Sequence, residues 1–161
     1  MKVIKKQTNS HDCFICGIDN PFGLKASFYE MEDKSVVSFF KYQSIHQSYP
    51  QRTHGGLISA MLDEIAGRAI WVYEDVWGVT SNLNVKFRKP VPYDTLLKAT
   101  GVITKNTSRA FVGISKIYDI DNNLLAEAEA TYIKLPLDKI AQTDHDDVNV
   151  YIPDDVVELD V

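Results

Sequence analysis

The feature that most constrains the fold of this chain is a long apolar stretch that begins after two adjacent glycines. No proline interrupts the chain between Gly55 and Tyr73, and its alanine, leucine and methionine residues favour a helix. We predict a helix over residues 56–73. Its apolar positions form a stripe that is too wide for a helix lying on a surface. The helix is therefore expected to be largely buried.

A single carboxylate, Asp63, lies in the middle of this apolar stretch. Burying a carboxylate without compensation is costly, so Asp63 needs polar partners or a function. The residues three and four positions away, on the same face, are mostly small, which lets a ligand or another backbone come close. A simpler interpretation, in which Asp63 reaches water at the helix edge, fits equally well. The next residue, Glu64, points about 100° away, which argues against a paired acid/base site.

Strand patterns lie on both sides of the predicted helix. We predict two strands before it, at residues 24–31 and 35–42, and four after it, at residues 79–89, 96–104, 111–118 and 124–135. An antiparallel sheet curled around one helix is the economical way to bury that helix. The predicted fold class is therefore α+β, whereas residues 1–12 are polar and expected to be loose.

The charge is distributed unevenly between the body of the chain and its tail. Residues 136–161 contain eight acidic residues and one lysine, which gives them a net charge of −7. Because the whole chain has a net charge of −5, residues 1–135 have a net charge of +2. We predict a domain over residues 1–135 and an acidic extension, mobile or packed on a partner, over residues 136–161. The body is too weakly basic to indicate nucleic-acid binding. No apolar run is long enough to cross a membrane and no signal peptide is recognised, so a cytoplasmic location is expected.

The two cysteines form one Cys-x-x-Cys pair, at Cys13 and Cys16. Free or structural thiols are the leading interpretation. Half of a zinc site, with His11 as a third ligand, is an alternative, and a disulfide is the least favoured because no export signal is recognised.

Several short motifs together resemble the hotdog-fold acyl-CoA thioesterases of the phenylacetate-pathway and 4-hydroxybenzoyl-CoA type. The segments that carry the resemblance are His54-Gly55-Gly56 with Asp63-Glu64, the lead-in His46-Gln47-Ser48-Tyr49-Pro50, the opening Cys13-Phe14-Ile15-Cys16-Gly17 with Asn20-Pro21-Phe22-Gly23-Leu24, and Phe87-Arg88-Lys89-Pro90-Val91. The resemblance implies a hotdog fold, an antiparallel sheet curled around one long central helix. It also implies hydrolysis of an acyl-CoA thioester, without a cofactor or a metal.

The same resemblance assigns roles to particular residues. Asp63 is implied as general base or nucleophile, and the backbone N–H groups of Gly55 and Gly56 as donors that polarise the thioester carbonyl. A helix N-terminus has unpaired N–H groups and a positive dipole end, so it suits a developing oxyanion. Ser48 and Thr80 occupy positions of polar helpers in relatives, although an ordinary strand hydroxyl also explains Thr80.

The remaining candidate residues carry open alternatives. His54 has a side chain suited to acid/base work, but fixing the loop by hydrogen bonding is the favoured role. Basic residues that would meet the CoA phosphates are Lys86, Arg88, Lys89 and Arg109, for each of which a solvated strand edge is an equally good interpretation. The aromatic residues near the loop and helix end leave the acyl group undetermined: Tyr49, Trp71, Tyr73 and Trp77.

Helix geometry leads to an expectation about assembly. Gly55 and Asp63 are eight residues apart, which is roughly 12 Å along a helix. A carbonyl bound at Gly55 therefore cannot also reach Asp63 of the same chain. We expect a homodimer, with the possibility of a dimer of dimers, in which Gly55 of one subunit faces Asp63 of the other. A non-catalytic acyl-CoA binding module on the same fold is the alternative function.

Overall fold

A computed structural model describes all 161 residues, which form one antiparallel sheet and one main helix. Helix α1 spans Gly55–Arg68 and continues as a 3₁₀ turn over Ala69–Val72, while α2 is a short helix at Leu137–Ile140. The strands are β1 (Val3–Lys6), β2 (Tyr29–Met31), β3 (Val36–Phe40), β4 (Gly78–Phe87), β5 (Leu97–Asn106), β6 (Ala110–Tyr118) and β7 (Leu124–Lys134). Their order in the sheet is β1-β2-β3-β5-β6-β7-β4, with every pair antiparallel. The predicted α+β fold class is confirmed.

Helix α1 lies across the concave face of the sheet, against β5, β6 and β7. Met61, Leu62 and Ile65 are fully buried there, as the apolar stripe predicts. The helix approaches β5 so closely that a Cβ atom added at Gly101 would lie 2.4 Å from the carbonyl oxygen of Ile65. Only glycine permits this contact. None of the helices combines the length and the apolar character that crossing a membrane requires.

The first twelve residues are ordered, which corrects the expectation that they are loose. They contain β1, and the adjoining Gln7 is only 2% exposed. Its side-chain amide donates hydrogen bonds to Glu30 Oε1 and to the carbonyl oxygen of Arg68, at 3.0 and 3.2 Å. The polar composition of this segment is misleading because Gln7 and Asn9 are buried and their side-chain amides donate hydrogen bonds to other parts of the chain. The strand predicted at 24–31 is also shorter than expected, since only β2 pairs in the sheet.

The acidic tail folds back on its own chain rather than extending from it. The Val3 N–H donates to the carbonyl oxygen of Val157, and the Leu159 N–H donates to that of Met1, both at 2.9 Å. These bonds cover the outer edge of β1. Strand β4, at the other edge, bonds only to β7 and leaves its outer backbone groups without a partner in the chain. The proposed domain boundary at residue 135 stays a prediction.

Candidate active site

Asp63 is held by two hydroxyl groups that come from the sheet. The Tyr132 hydroxyl, on β7, lies 2.9 Å from Asp63 Oδ1 and 2.6 Å from the Asp63 carbonyl oxygen. Thr80 Oγ1, on the edge strand β4, lies 2.9 and 3.1 Å from the two carboxylate oxygens. The two strands deliver these groups together because Thr80 pairs directly with Tyr132 in the ladder. The half-buried carboxylate therefore has polar partners from the sheet, which the apolar residues of its own helix do not provide.

Burial raises the pKa of the Asp63 carboxyl above its ordinary value, because removing water disfavours the charged form. The hydrogen bonds from Thr80 and Tyr132 oppose this rise, and the nearby charge of Glu64 adds to it. A carboxylate that is poorly hydrated and fixed in orientation is better suited to accept a proton than one exposed to water.

A cavity of about 270 Å³ opens beside Asp63. Aromatic side chains form much of its wall: Trp71, Trp77, Phe111 and Tyr132. The two tryptophan rings meet edge to face at 5.3 Å, and the Phe111 and Tyr132 rings stack at 4.7 Å. Of the aromatic residues considered for an acyl pocket, Trp71 and Trp77 are in this wall, whereas Tyr49 lines a separate groove and Tyr73 is exposed.

At the start of α1, the side chain of His54 caps the helix. Its Nδ1 atom accepts a hydrogen bond from the Gly56 N–H at 3.0 Å. The Gly56 N–H is therefore not free to bind the thioester carbonyl. His54 Nδ1 is occupied in the same bond, in line with the role of fixing the loop by hydrogen bonding. The Gly55 N–H has no partner within the chain. Gly55 is thus the donor left free at this helix end.

A second groove, separate from the cavity at Asp63, contains Gly55. Ser48, Arg88 and Lys89 also line this groove, together with the exposed ring of Tyr49. Arg88 forms an ion pair with Glu127, and Lys89 Nζ lies 3.4 Å from Asn123 Oδ1. Ser48, Gly55 and two of the four basic candidates are therefore brought together.

The other two basic candidates lie elsewhere in the chain. Lys86 pairs across strands with Glu127 and lines a different surface depression. Arg109 lies in the turn between β5 and β6, where its carbonyl oxygen accepts from the Lys134 N–H. Lys134 pairs with Gly78 at the start of β4, while Arg88 follows the end of that strand. In one chain Arg109 is thus at the opposite end of β4 from Arg88.

Tyr132 is a site residue that the sequence patterns did not indicate. It lies within the strand predicted at residues 124–135, and that strand pattern does not distinguish it from an ordinary core residue. Only its residue type could have indicated a role, because a buried tyrosine hydroxyl usually has a hydrogen-bond partner. Nothing in the sequence identified Asp63 as that partner.

The residue beside the two cysteines is Glu64, and not His11 as the zinc alternative expected. His11 Nδ1 is 2.6 Å from Asp19 Oδ2 on the surface and does not face the thiols. Glu64 points away from Asp63, as helix geometry predicts. Its carboxylate lies near both cysteines and forms an ion pair with Arg68. Both cysteines are free thiols.

The antiparallel sheet wrapped around a single central helix, with an acid halfway along that helix, defines a hotdog-fold protein. The family model of the thioesterase superfamily matches residues 51–126, which include α1 and most of the strands that pack on it. Over these residues the chain is similar to the thioesterase superfamily, in agreement with the resemblance in its sequence.

Individual relatives agree with this assignment. Acyl-coenzyme A thioesterase THEM4 of Mus musculus is 32% identical over 115 residues, which is 71% of this chain and 49% of the mouse protein. The Rattus norvegicus protein of that name is 27% identical over 84% of this chain and 59% of its own. This chain spans about half the length of the curated relatives it matches.

Among solved structures, a thioesterase superfamily protein superimposes with a TM-score of 0.71 at 23% identity, over 77% of this chain and 60% of the other. The E. coli PaaI protein from the phenylacetic acid degradation operon superimposes with a TM-score of 0.63 at 17% identity, over 70% of this chain and 81% of the other. At these identities the two structures establish the fold alone.

Proposed function

We propose that the protein hydrolyses acyl-CoA thioesters as a homodimer, with Asp63 as general base. The observation that carries the proposal is the hydroxyl-bonded, partly desolvated carboxylate of Asp63 in the wall of a cavity. The names of the curated relatives support the substrate class, since they are acyl-coenzyme A thioesterases.

In this mechanism Asp63 removes a proton from a water molecule as the water attacks the thioester carbonyl carbon. The carbonyl oxygen becomes negatively charged and accepts a hydrogen bond from the Gly55 N–H at the positive end of a helix. The carbon–sulfur bond then breaks, the carboxylic acid is released, and the proton on Asp63 passes to the leaving CoA sulfur. Thr80 and Tyr132 do not touch the reacting atoms but orient the carboxylate.

The edge strand β4 favours a dimer. Thr80, which contacts Asp63, is near the start of β4, whereas the ring of Phe87, at its end, lies beside Gly55. When two copies pair their β4 edges antiparallel, the start of one strand lies beside the end of the other. Asp63 of one subunit would then face the Gly55 groove of its partner. The unpaired outer edge of β4 supports this pairing.

The size of the cavity favours a small acyl group. Within one chain the cavity has a volume of about 270 Å³, slightly below the roughly 300–1,000 Å³ of ordinary ligand pockets. The aromatic wall suits a short-chain or single-ring acyl group, while the CoA moiety would follow the groove that contains Arg88 and Lys89. We expect phenylacetyl-CoA and butyryl-CoA to be hydrolysed faster than palmitoyl-CoA in an assay of released thiol.

The test of the general base is Asp63→Asn, with Asp138→Asn in the exposed tail as a control that removes the same charge. We expect Asp63→Asn to lower kcat by about 10²–10⁴-fold, the usual contribution of a general base. KM should change little, because the asparagine oxygen can still accept from Tyr132 and preserve the local structure. Asp138→Asn should behave as wild type.

Two results would contradict this function. Hydrolysis by Asp63→Asn at the wild-type rate would exclude the role of Asp63. Tight binding of acyl-CoA by the wild-type protein, without release of thiol from any ester in the panel, would favour a binding module instead.

A further inference from the structure

The residues that line the cavity beside Asp63 include a group of metal-ligand side chains that the proposed hydrolysis does not use. Cys13, Cys16 and Glu64 each contribute one ligand atom, and these atoms all lie within 4.8 Å of one another. Ligands of a tetrahedral zinc ion at about 2.0–2.3 Å lie slightly closer together than this. Binding would therefore require the three ligand atoms to approach one another by about 1 Å.

The turn that carries the cysteines is built to direct both sulfur atoms toward one point. The Ile15 N–H donates to Cys13 Sγ at 3.4 Å, and Ser10 Oγ lies 3.5 Å from Cys16 Sγ. The Gly17 N–H closes the turn on the Cys13 carbonyl oxygen at 2.7 Å. A Cβ atom added at Gly17 would come within 2.3 Å of that oxygen, so the turn requires glycine after the second cysteine.

The third group, Glu64, is fixed by a buried arginine. Arg68 Nε donates to Glu64 Oε1 at 2.7 Å, and another guanidinium nitrogen of Arg68 donates to the Thr8 carbonyl oxygen at 2.8 Å. The guanidinium also lies 4.4 Å from the centre of the Phe28 ring. Arg68 therefore cannot move freely. Because a carboxylate has two oxygens, Glu64 can bind Arg68 through one and a metal through the other.

The charges in this group balance when a divalent cation is bound. Without metal, the Glu64 carboxylate neutralises the Arg68 guanidinium. With a divalent ion bound, its two positive charges and that of the Arg68 guanidinium balance the negative charges of two thiolates and the Glu64 carboxylate. The buried group is thus suited to hold the ion without leaving an uncompensated charge.

We propose that Cys13, Cys16 and Glu64 form a zinc site whose fourth ligand is a water molecule in the cavity. Two thiolates select a thiophilic ion over magnesium or calcium, and three protein ligands with one open position are a common zinc arrangement. The site would join the segment between β1 and β2 to the middle of α1. Neither Asp63 nor Gly55 is a ligand, so metal binding can be measured without relying on thioester hydrolysis.

The test begins with the full chain, treated with a chelator and a reductant and then titrated with Co²⁺ or Zn²⁺. We expect one ion per chain, sulfur-to-cobalt charge-transfer bands, protection of both thiols from a disulfide reagent, and a rise in Tm on adding Zn²⁺. Glu64→Gln should weaken binding by more than about 10–100-fold, since losing even an outer partner of a metal site costs that much. Glu129→Gln, at an exposed position on β7, is the matched control and should bind as wild type.

Binding of cobalt without sulfur bands would overturn the proposal, and so would thiols that react equally fast with and without Zn²⁺. Because Glu64→Gln leaves Arg68 unpaired and could unfold the chain, X-ray absorption of the zinc-loaded wild-type protein provides a second measurement. Two sulfur and two oxygen neighbours are expected. A nitrogen from histidine or a third sulfur would exclude the assigned ligands.

Discussion

At the scale of single residues, the behaviour of Asp63 is decided by the groups that contact it. Its place in an apolar helix would make the carboxylate unfavourable, but two hydroxyl groups from β4 and β7 satisfy it. At the helix start, His54 occupies the Gly56 N–H and leaves that of Gly55 free. The chemistry proposed here therefore depends on one acceptor and one donor, each selected by its neighbours.

The role of the Gly55 N–H can be tested with Gly55→Pro. Proline removes this N–H and is well tolerated at the first position of a helix. The extended conformation of His54, with φ −64° and ψ 133°, also suits a residue that precedes proline. We expect kcat to fall by about 10²–10³-fold, as for the loss of one oxyanion donor.

The matched control is Gly55→Ala, which keeps the N–H group. Its Cβ would lie 3.4 Å from the Phe87 ring, an ordinary contact, so kcat should stay close to that of wild type. Equal kcat values for the proline and alanine variants would remove Gly55 from the mechanism. Circular dichroism would establish that both variants retain the helix.

At the scale of elements, the acidic tail and β1 stabilise each other. Asp154 in the tail receives hydrogen bonds from Lys6 Nζ at 3.0 Å and from the Tyr29 hydroxyl at 2.7 Å. Neither the polar N-terminus nor the acidic tail has a hydrophobic pattern strong enough to predict this contact. Together they cover one edge of the sheet, which limits edge-to-edge association to β4.

The tail contact should depend on pH. Burial alone would raise the pKa of Asp154, but the hydrogen bonds from Tyr29 and Lys6 outweigh it and lower the pKa below its ordinary value. A lowered pKa means that Asp154 stabilises the folded state above about pH 4 and that this contribution is lost as the pH falls. Asp154→Asn should therefore reduce the free energy of unfolding by about 1 kcal/mol or less at neutral pH.

The measurement is urea denaturation near neutral pH and near the acid limit of folding, with Asp155→Asn as the control. The difference between wild type and Asp154→Asn should shrink as the pH falls, and Asp155→Asn should show none. Amide exchange at Val3 and Leu159, whose N–H groups bond between the tail and the N-terminus, should accelerate in Asp154→Asn. A pH-independent difference would assign the effect to packing instead.

At the scale of the whole molecule, the residues assigned to catalysis lie in two separate places of one chain. Asp63 with Thr80 lies toward one end of β4, and Gly55 with Ser48 and Arg88 lies toward the other. Under the proposed function, a second copy supplies the missing half to each. Arg109, which is separated from Arg88 within one chain, would then approach the partner's basic groove.

Mixed dimers can test this arrangement. When Asp63→Asn and Gly55→Pro subunits are combined at random, half of the dimers contain one chain of each kind. If the site is shared, each mixed dimer has one intact site, so activity should recover to about one quarter of wild type. If both groups act within one chain, every site lacks one of them and no activity should return. Each variant alone is the control.

Much of the fold was predictable because it depends on local patterns. The run from Gly55 predicts α1, and alternation within residues 79–134 predicts β4 to β7, since side chains repeat at about 3.6 residues in helices and 2 in strands. The lone acid in the helix likewise marked Asp63. Thr80 was proposed from the resemblance, and the structure places it beside Asp63. The short strand β1 and the docked tail were missed because their stability comes from hydrogen bonds to distant segments.

By itself the sequence determined which elements form and which faces they bury, because those properties depend on residues close together in the chain. Only the tertiary structure decided which side chains meet. Tyr132 donates a hydrogen bond to Asp63, which lies 69 residues away in the sequence. Glu64 lies beside Cys13 and Cys16 and does not form a pair with Asp63. Alternation specifies the face of a strand but not its neighbour or its register. Contacts between distant residues are set by packing of the whole chain, and that packing places the acid, the hydroxyl groups and the thiols around one cavity.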